Sequence, residues 1–279
     1  MNYSFKNILM LAATAFVTAG LVSCQETEYP AAVPANGPST LSARVLFANA
    51  APGVAPLNFF VSNNPAGTNV AFGSNTGYNP TPVGPIQLRA KAATGAIGGV
   101  LGTNDILFRA GATNQNNFTA AAGTNHTFFV TDTLNRARPT TIGATDLGGP
   151  RFLNVIDNLA APAAGNAHIR FFHLATNAPA VWVNVLRTGV TTPVASFANR
   201  TFRAVSTGAG ATLVNFANFT PIVAGSYTIE VRTGSATGPV ALSVPGVALD
   251  NGKIYTLYAR GLVRGTGANA LGASVILHN

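Results

Sequence analysis

The sequence predicts an all-β protein: two tandem antiparallel β-sandwich domains of the immunoglobulin-like type that follow an N-terminal signal peptide. Three observations lead to this prediction. The 279-residue chain is 47% hydrophobic, enough for buried cores, yet only 9% of it is charged, against about 25% in a typical globular protein. Its 29 Gly and 17 Pro disfavour long helices and suit strands joined by turns. Short segments of alternating apolar residues recur along the chain, and their order is repeated once.

Alternating apolar positions identify the individual strands. Residues 57–61 carry an apolar side chain at every second position, and residues 86–90, 181–185 and 227–231 do the same. Such a period of two is typical of a strand with one buried face. Clusters of Asn, Thr, Gly and Pro separate these segments and predict turns. Beyond the N-terminal segment, no window of the sequence has a sustained helical period, so strands are expected throughout.

The chain contains an internal repeat. Residues 43–49 align with residues 167–173, and the alignment continues without a gap through the next predicted strand. Matching framework segments separated by insertions are expected of two copies of one fold. We therefore place the first sandwich at residues 40–158, a short linker rich in Ala and Pro at residues 159–165, and the second sandwich at residues 166–279.

The first residues have the pattern of an export signal. Lys6 provides a positive charge, and an apolar run covers residues 8–22. The run is too short for a transmembrane helix, which needs about 20 residues, but long enough for a signal peptide. It ends in Leu21-Val22-Ser23-Cys24, which resembles the lipobox of bacterial lipoproteins, and Cys24 is the only cysteine of the chain. In that family the signal is cut before the cysteine, whose thiol and new amine are acylated.

The lipobox resemblance implies a signal peptide at residues 1–23, a lipidated Cys24, and a flexible tether at residues 24–39, which are rich in Pro and Ala. Several acyl chains anchor a protein stably, because each buried CH₂ contributes about 0.8 kcal/mol. The expected location is the bacterial outer membrane, with Cys24 as the membrane contact. Glu26 and Glu28 resemble the short acidic tag of surface-exposed lipoproteins in Bacteroidota; the choice between the periplasmic face and the cell surface stays open.

Segments of the second copy resemble the bacterial family DUF4397. That family opens with a strand of the type A-R-V-R, followed by two hydrophobic residues and H-A, and later has a G-x-x-Y-T block. Residues 167–173 and 252–258 fit these patterns, and the first copy fits them more loosely. The resemblance implies an exported protein, often with tandem domains, a β-sandwich fold and no established activity. Two aspartates of the family pattern are replaced in the second copy by Asn177 and Trp182, so calcium binding through them is not expected.

The charged residues give no sign of catalysis, of a metal site or of nucleic-acid binding. The formal net charge is +8, from 16 Lys and Arg against 8 Asp and Glu. The basic residues are scattered instead of forming the runs typical of nucleic-acid binding. Most acids stand beside Gly, Asn or Thr, where Asp usually forms turns. His168 and His173 are an odd number of positions apart and so point to opposite strand faces. We expect no enzyme activity, no metal and no cofactor.

A few side chains remain as candidates for ligand binding: Trp182, Asn184, His173, Arg200 and Arg203. Trp182 and Asn184 alternate with inward valines and are expected to face outward, where a tryptophan can stack on a sugar or anchor a protein. Packing of Trp182 against a neighbouring domain or sheet is the alternative. His173 is alternatively a buried, hydrogen-bonded strand residue. The insertion at residues 203–220 of the second copy contains no acid, and is either a binding loop or a variable loop without a role.

These observations predict a non-catalytic interaction or adhesion protein of the cell envelope, whose partner is a surface glycan or a protein. One alternative is a carbohydrate-binding component of a surface glycan-capture system, with Trp182 in the binding site. Another is a hydrolase with a site of unfamiliar pattern. Asp132-Thr133-Leu134 also matches a short O-glycosylation pattern of Bacteroidota, which makes Thr133 a candidate for modification. The sequence leaves the ligand and the oligomeric state open.

Overall fold

The computed structural model describes residues 42–94, 105–108, 117–137 and 148–279. Within them the regular structure is β-strand, apart from two short 3-10 turns, so the predicted all-β fold is confirmed. No helix in these residues is long and apolar enough to cross a membrane. The predicted signal peptide, the tether and Cys24 lie outside the described residues.

The strands, in chain order, are β1 (Ser42–Asn49), β2 (Leu57–Val61), β3 (Asn64–Val70), β4 (Asn75–Pro82), β5 (Gly84–Ala92), β6 (Asp105–Leu107), β7 (Asn117–Ala120), β8 (Asn125–Thr131), β9 (Arg151–Ile156), β10 (Asn166–His173), β11 (Val181–Arg187), β12 (Ala195–Arg200), β13 (Ser206–Thr207), β14 (Val214–Asn215), β15 (Thr220–Val223), β16 (Gly225–Thr233), β17 (Val240–Leu249), β18 (Ile254–Arg260) and β19 (Gly272–Leu277). The 3-10 turns are Gly210–Thr212 and Gly267–Asn269. We call β1 to β9 the first module and β10 to β19 the second module.

Each module has two main sheets with the same arrangement of strands. In the first module the sheets have the orders β4-β1-β8-β9 and β3-β2-β5-β6, with β7 paired to β5; in the second module they are β15-β10-β18-β19 and β12-β11-β16-β17. Most pairs are antiparallel, as predicted, but β1 pairs with β8 and β10 with β18 in parallel. This exception arises because β8 and β18 return from the opposite sheet. A period of two in the sequence does not distinguish parallel from antiparallel neighbours.

Each pair of sheets encloses its own hydrophobic core. In the first module Phe47 of β1 stacks on Phe59 of β2 with ring centroids 4.8 Å apart, and Phe128 and Phe152 complete the aromatic centre. In the second module the inward residues of β11 and β16 pack against those of β10 and β18. Because a fully buried side chain of this size contributes about 1.5–3 kcal/mol, each module has an apolar centre to fold around.

A third core lies between the two modules. Leu46 and Ala48, on the other face of β1, belong to one buried cluster with Phe129 of β8, Phe172 of β10 and Tyr258 of β18. The rings of Phe129 and Tyr258 are 5.3 Å apart. The sheet β4-β1-β8-β9 therefore packs on the sheet β15-β10-β18-β19. This packing explains why these central strands are buried on both faces.

The insertion of the second copy covers part of this third core. The backbone amide of Arg203 donates to the carbonyl of His173 at 2.9 Å, which fixes the start of the insertion. Phe216 is buried in the third core, and Ala204 and Ala217 pack against it. The insertion is therefore part of the packing between the modules, which is neither of the two roles considered from the sequence.

Candidate ligand-binding site

Trp182 lies on the outer face of the second module. It stands in β11 between the inward-facing Val181 and Val183, and its cross-strand neighbour on β16 is Arg232. Strand alternation turns its side chain away from the core, and the side chain is partly exposed. It belongs to none of the three hydrophobic cores formed by the described residues. The structure therefore places Trp182 on a surface that faces solvent.

An ion pair lies beside Trp182 on the next strand. The guanidinium of Arg232 pairs with the carboxylate of Glu230, with Nη2 and Oε2 2.5 Å apart, and Nη1 donates to the carbonyl of Gly238 at 2.7 Å. Directly opposed residues of an antiparallel pair have Cβ atoms about 5 Å apart, so Arg232 is held next to the indole in one orientation. We call Trp182, Glu230 and Arg232 the Trp182 face.

Asn184 lies on the same side of β11 but is buried. Its Nδ2 donates to the carbonyl of Ala236 at 2.9 Å, and its Oδ1 accepts from the hydroxyl of Ser196 at 3.1 Å. Ala236 belongs to the connection between β16 and β17, which folds over the asparagine. The prediction that the side chain of Asn184 points away from the core is correct for this strand, but the prediction that it is accessible is wrong. The side chain supports this connection instead of meeting a ligand.

The Trp182 face combines an apolar surface with fixed polar groups. Within the described part of the chain, no aromatic ring stacks on the indole and no group accepts from its N–H. An indole offers a large flat apolar area with a hydrogen-bond donor at its edge. The neighbouring Glu230 and Arg232 add acceptors and donors, and few, well-placed polar groups beside an apolar surface are typical of ligand sites. The Trp182 face therefore has the features of a binding site more than those of a catalytic site.

His173 is enclosed at the end of β10. It is 1% exposed, its Nε2 lies 3.0 Å from the carbonyl of Pro179, and its Nδ1 accepts from the amide of Ala175 at 3.4 Å. These contacts define a neutral ring with its proton on Nε2. Burial lowers the pKa of His173 despite the bond to the Pro179 carbonyl. Both ring nitrogens are used within the protein, which matches the structural alternative considered for this residue.

Arg203 connects the two modules. Its Nη2 donates to the carbonyl of Phe152 at 2.8 Å, and its Nη1 lies 3.3 Å from Oδ2 of Asp132. Arg151 approaches the same oxygen at 2.6 Å. Burial, followed by the repulsion of Arg151, lowers the pKa of Arg203 to about 10. Thr133 follows Asp132 directly and is half-buried. Glycosylation of Thr133 requires an accessible hydroxyl, and the residue lies next to the ion pairs that Asp132 forms with Arg151 and Arg203.

The structure does not bring the five candidate residues together. Trp182 and Asn184 share the outer face of one sheet, whereas His173 and Arg200 are buried and Arg203 is engaged between the modules. Arg200 lies against Phe216 of the insertion, with Cζ 3.4 Å from the ring centroid. The candidate site on the outer surface is therefore the Trp182 face alone.

Four polar side chains that the sequence analysis did not single out meet between the modules: Tyr78, Asp157, Arg170 and His278. The guanidinium of Arg170 pairs with the carboxylate of Asp157, and both side chains are fully enclosed. The hydroxyl of Tyr78 donates to Asp157 at 2.6 Å and lies 2.8 Å from Nδ1 of His278. This polar network joins β4 of the first module to β10 and the C-terminal end of the second.

The hydrogen bonds fix the proton positions in this network. Tyr78 gives its only proton to Asp157, so it accepts from Nδ1–H of His278. Nε2 of His278 then accepts from the hydroxyl of Thr256 at 2.7 Å, and that hydroxyl accepts from Nε of Arg170 at 2.8 Å. Burial lowers the pKa of His278 to about 4, and burial together with Asp157 raises the pKa of Tyr78. His278 is therefore neutral, and the network acts as a connection between modules.

The fold and these contacts define an all-β protein of stacked sandwich sheets with a partly exposed tryptophan on an outer sheet. The described residues contain no group of three or more His, Cys, Asp or Glu that could hold a metal ion. The chain belongs to the family DUF4397, a domain of unknown function, whose model matches residues 43–184. The match covers the first module and continues through β10 into β11 of the second, which confirms the family resemblance.

Several solved structures resemble this chain, and two of them illustrate the likeness. One is a leucine-rich repeat protein from Bacteroides thetaiotaomicron, with 12% identity and a TM-score of 0.18; the match covers 80% of this chain and 26% of that one. The other is a candidate cell adhesion protein from Parabacteroides distasonis, also with 12% identity and a TM-score of 0.18, with coverage of 85% and 98%. At these scores neither likeness bears on function. No curated protein matches the chain.

Proposed function

We propose that this protein is a lipid-anchored lipoprotein of the bacterial envelope, in which two tandem copies of the family fold act as a non-catalytic interaction or adhesion module. The anchor is supported by the lipobox-like segment that ends at Cys24, the only cysteine. The two copies are supported by the equal strand orders of the modules. A surface glycan or protein is the proposed partner.

The Trp182 face is the observation that carries this proposal. Buried contacts occupy His173 and the residues of the network around Asp157, whereas Trp182 remains partly exposed beside an ordered ion pair. Aromatic anchors of this kind dominate the binding energy of many interfaces. A side chain that is exposed at a flat sheet, and whose neighbours are already fixed, loses little freedom on binding.

Carbohydrate binding is the second candidate, and the chemistry of the same face favours it. A sugar ring has an apolar C–H surface, which an indole can cover, and hydroxyl groups at its rim. Glu230 and Arg232 lie where such hydroxyls would find an acceptor and a donor. A protein partner would use the same indole as a hydrophobic anchor, so the two candidates differ in ligand and not in site.

Trp182→Ala is expected to weaken binding about 30-fold or more, because a central aromatic anchor contributes about 2 kcal/mol or more. A glycan array and an array of envelope proteins, each probed with wild type and variant, measure this loss. The matched control is Phe60→Ala, which removes a partly exposed aromatic residue from the outer face of the equivalent sheet of the first module. Equal loss in both variants would count against the Trp182 face, and absence of any glycan signal would exclude the carbohydrate candidate.

A further inference from the structure

Arg200 is a buried cation at the end of β12. It is 7% exposed, and its backbone lies opposite Val181 at the start of β11. The guanidinium lies over the ring of Phe216, with Cζ 3.4 Å from the centroid, and is 5.4 Å from the centroid of Phe197. Phe216 comes from the insertion, so this segment of the second copy supplies the surface on which Arg200 stacks.

The guanidinium of Arg200 has no acidic partner among the described residues. Its Nε and Nη1 are enclosed and find no protein acceptor there, which leaves Nη2 as its nitrogen on the solvent side. Burial lowers the pKa of Arg200 to about 10, so it stays charged at neutral pH. A buried charge without a counter-charge is unfavourable, and the contact with Phe216 offsets only part of this cost.

Arg170, the other arginine that is buried in the described residues, is bonded differently. Arg170 pairs with Asp157 and donates to Thr256 and to the carbonyl of Ala217. An arginine that serves packing alone is expected to be satisfied in this way. Arg200 differs from Arg170 in this respect, since its packing on Phe216 leaves both Nε and Nη1 without acceptors among the described residues.

The second-module segments around Arg200 contain no acid, and Asp132 of the first module, which reaches the start of the insertion, is paired with Arg203. The insertion at residues 203–220 contains no acid. The loop from β10 to β11 reaches the same end, because β12 runs antiparallel to β11, and in this loop the hydroxyl of Thr176 is enclosed without a partner among the described residues. The guanidinium of Arg200 and the unsatisfied hydroxyl of Thr176 thus lie at the same end of the second module.

We propose that Arg200 is the anchor of a binding site for an oxyanion, a carboxylate, sulfate or phosphate group carried by a ligand. The guanidinium offers an oxyanion its positive charge and the N–H donors of Nη2, the nitrogen on the solvent side, and the aromatic ring beneath holds its plane in place. The site is separate from the Trp182 face, because Arg200 is buried at the end of β12 and Trp182 is on the outer surface of β11. The proposal therefore does not depend on the interaction role proposed for Trp182.

The test is calorimetric titration of the purified full chain with sodium glucuronate, sodium sulfate and sodium phosphate at constant ionic strength, with glucose as the neutral probe. Direct binding is measured because sulfate and phosphate also stabilise folded proteins by exclusion from their surface. We expect wild type to bind at least one of the three anions and not glucose. Arg200→Gln, which keeps a planar side chain without the charge, is expected to weaken this binding about tenfold or more, as for loss of a charged hydrogen bond.

Two further variants make the result specific. Arg200→Lys keeps the positive charge but lacks the planar guanidinium. It should bind the anion with an affinity between those of wild type and Arg200→Gln. Arg187→Gln removes an exposed arginine of the same module and should bind like wild type. Preference among the probes identifies the ligand group. Absence of binding of all three anions to wild type, equal binding by Arg200→Gln, or equal loss in Arg187→Gln would overturn the proposal.

Discussion

Arg170→Met is expected to lower the free energy of unfolding by about 3–5 kcal/mol, because it leaves the carboxylate of Asp157 buried without its cation. Both side chains are fully enclosed between the modules. The guanidinium also donates to Thr256 and to the carbonyls of Ile156 and Ala217, and these acceptors lose a charged donor as well. Because these lost contacts lie between the modules, the variant should also weaken the association of the two modules.

Urea unfolding measures this loss, with Lys91→Met as the control. Lys91 forms a surface ion pair with Asp105 and its side chain is 43% exposed, so its removal should cost at most about 1 kcal/mol. The double variant Arg170→Met with Asp157→Leu should recover much of the loss, because an apolar pair can replace a buried ion pair. A loss below about 1 kcal/mol in Arg170→Met, or purely additive effects in the double variant, would contradict the role assigned to this pair.

Stability is expected to fall by about 3 kcal/mol between pH 6.5 and pH 4 through His278 alone. Burial lowers the pKa of His278 to about 4 in the folded protein, whereas an unfolded histidine has a pKa of about 6.5. Between these values the unfolded chain binds a proton that the folded chain does not, so unfolding becomes easier as the pH falls. The contribution of His278 is therefore complete above pH 6.5 and is lost as the pH approaches 4.

Unfolding free energies of wild type and His278→Gln, measured at intervals over this range, test the pH effect. The difference between the two curves is the quantity of interest, since burial also lowers the pKa values of His126 and His173 and adds a slope of the same sign. Parallel curves for wild type and His278→Gln would show that protonation of His278 does not oppose folding.

The inward faces of the strands were predictable because they follow a local rule. Leu57, Phe59 and Val61 alternate with less buried neighbours, and all three lie in the first core. The third core was not predicted, although both faces of β1 are apolar, because a single strand does not show what covers its second face. Leu46 needs Tyr258 of the other module for its burial, and such a distant pairing has no local signal.

The candidate site was predictable only where it follows from the alternation of side chains along a strand. Alternation along β11 indicates that Trp182 points outward, but not that a later connection covers Asn184. The network between the modules joins Tyr78 to His278, residues that stand near opposite ends of the described chain. The partners of a buried charge follow from tertiary packing, which periodicity does not encode.

The third core and the polar network have a consequence for the proposed function. They hold the two modules together as one compact unit, so a ligand bound at the Trp182 face would be connected to the anchor through both modules. Two modules that pack against each other transmit a mechanical load with less relative motion than two modules joined by a flexible linker. In the proposed interaction role, the network would keep the two modules in one arrangement without itself contacting a ligand.

The lipid anchor is the central requirement of the proposed function, because an interaction role in the envelope requires export and attachment. Growth with labelled palmitate, followed by purification of the chain, tests it directly. Wild type and Ser23→Ala, which keeps a small residue before the cysteine, should carry the label and sediment with membranes. Cys24→Ser should carry none and leave the membrane fraction. Label retained on Cys24→Ser, or absent from wild type, would contradict lipidation at Cys24.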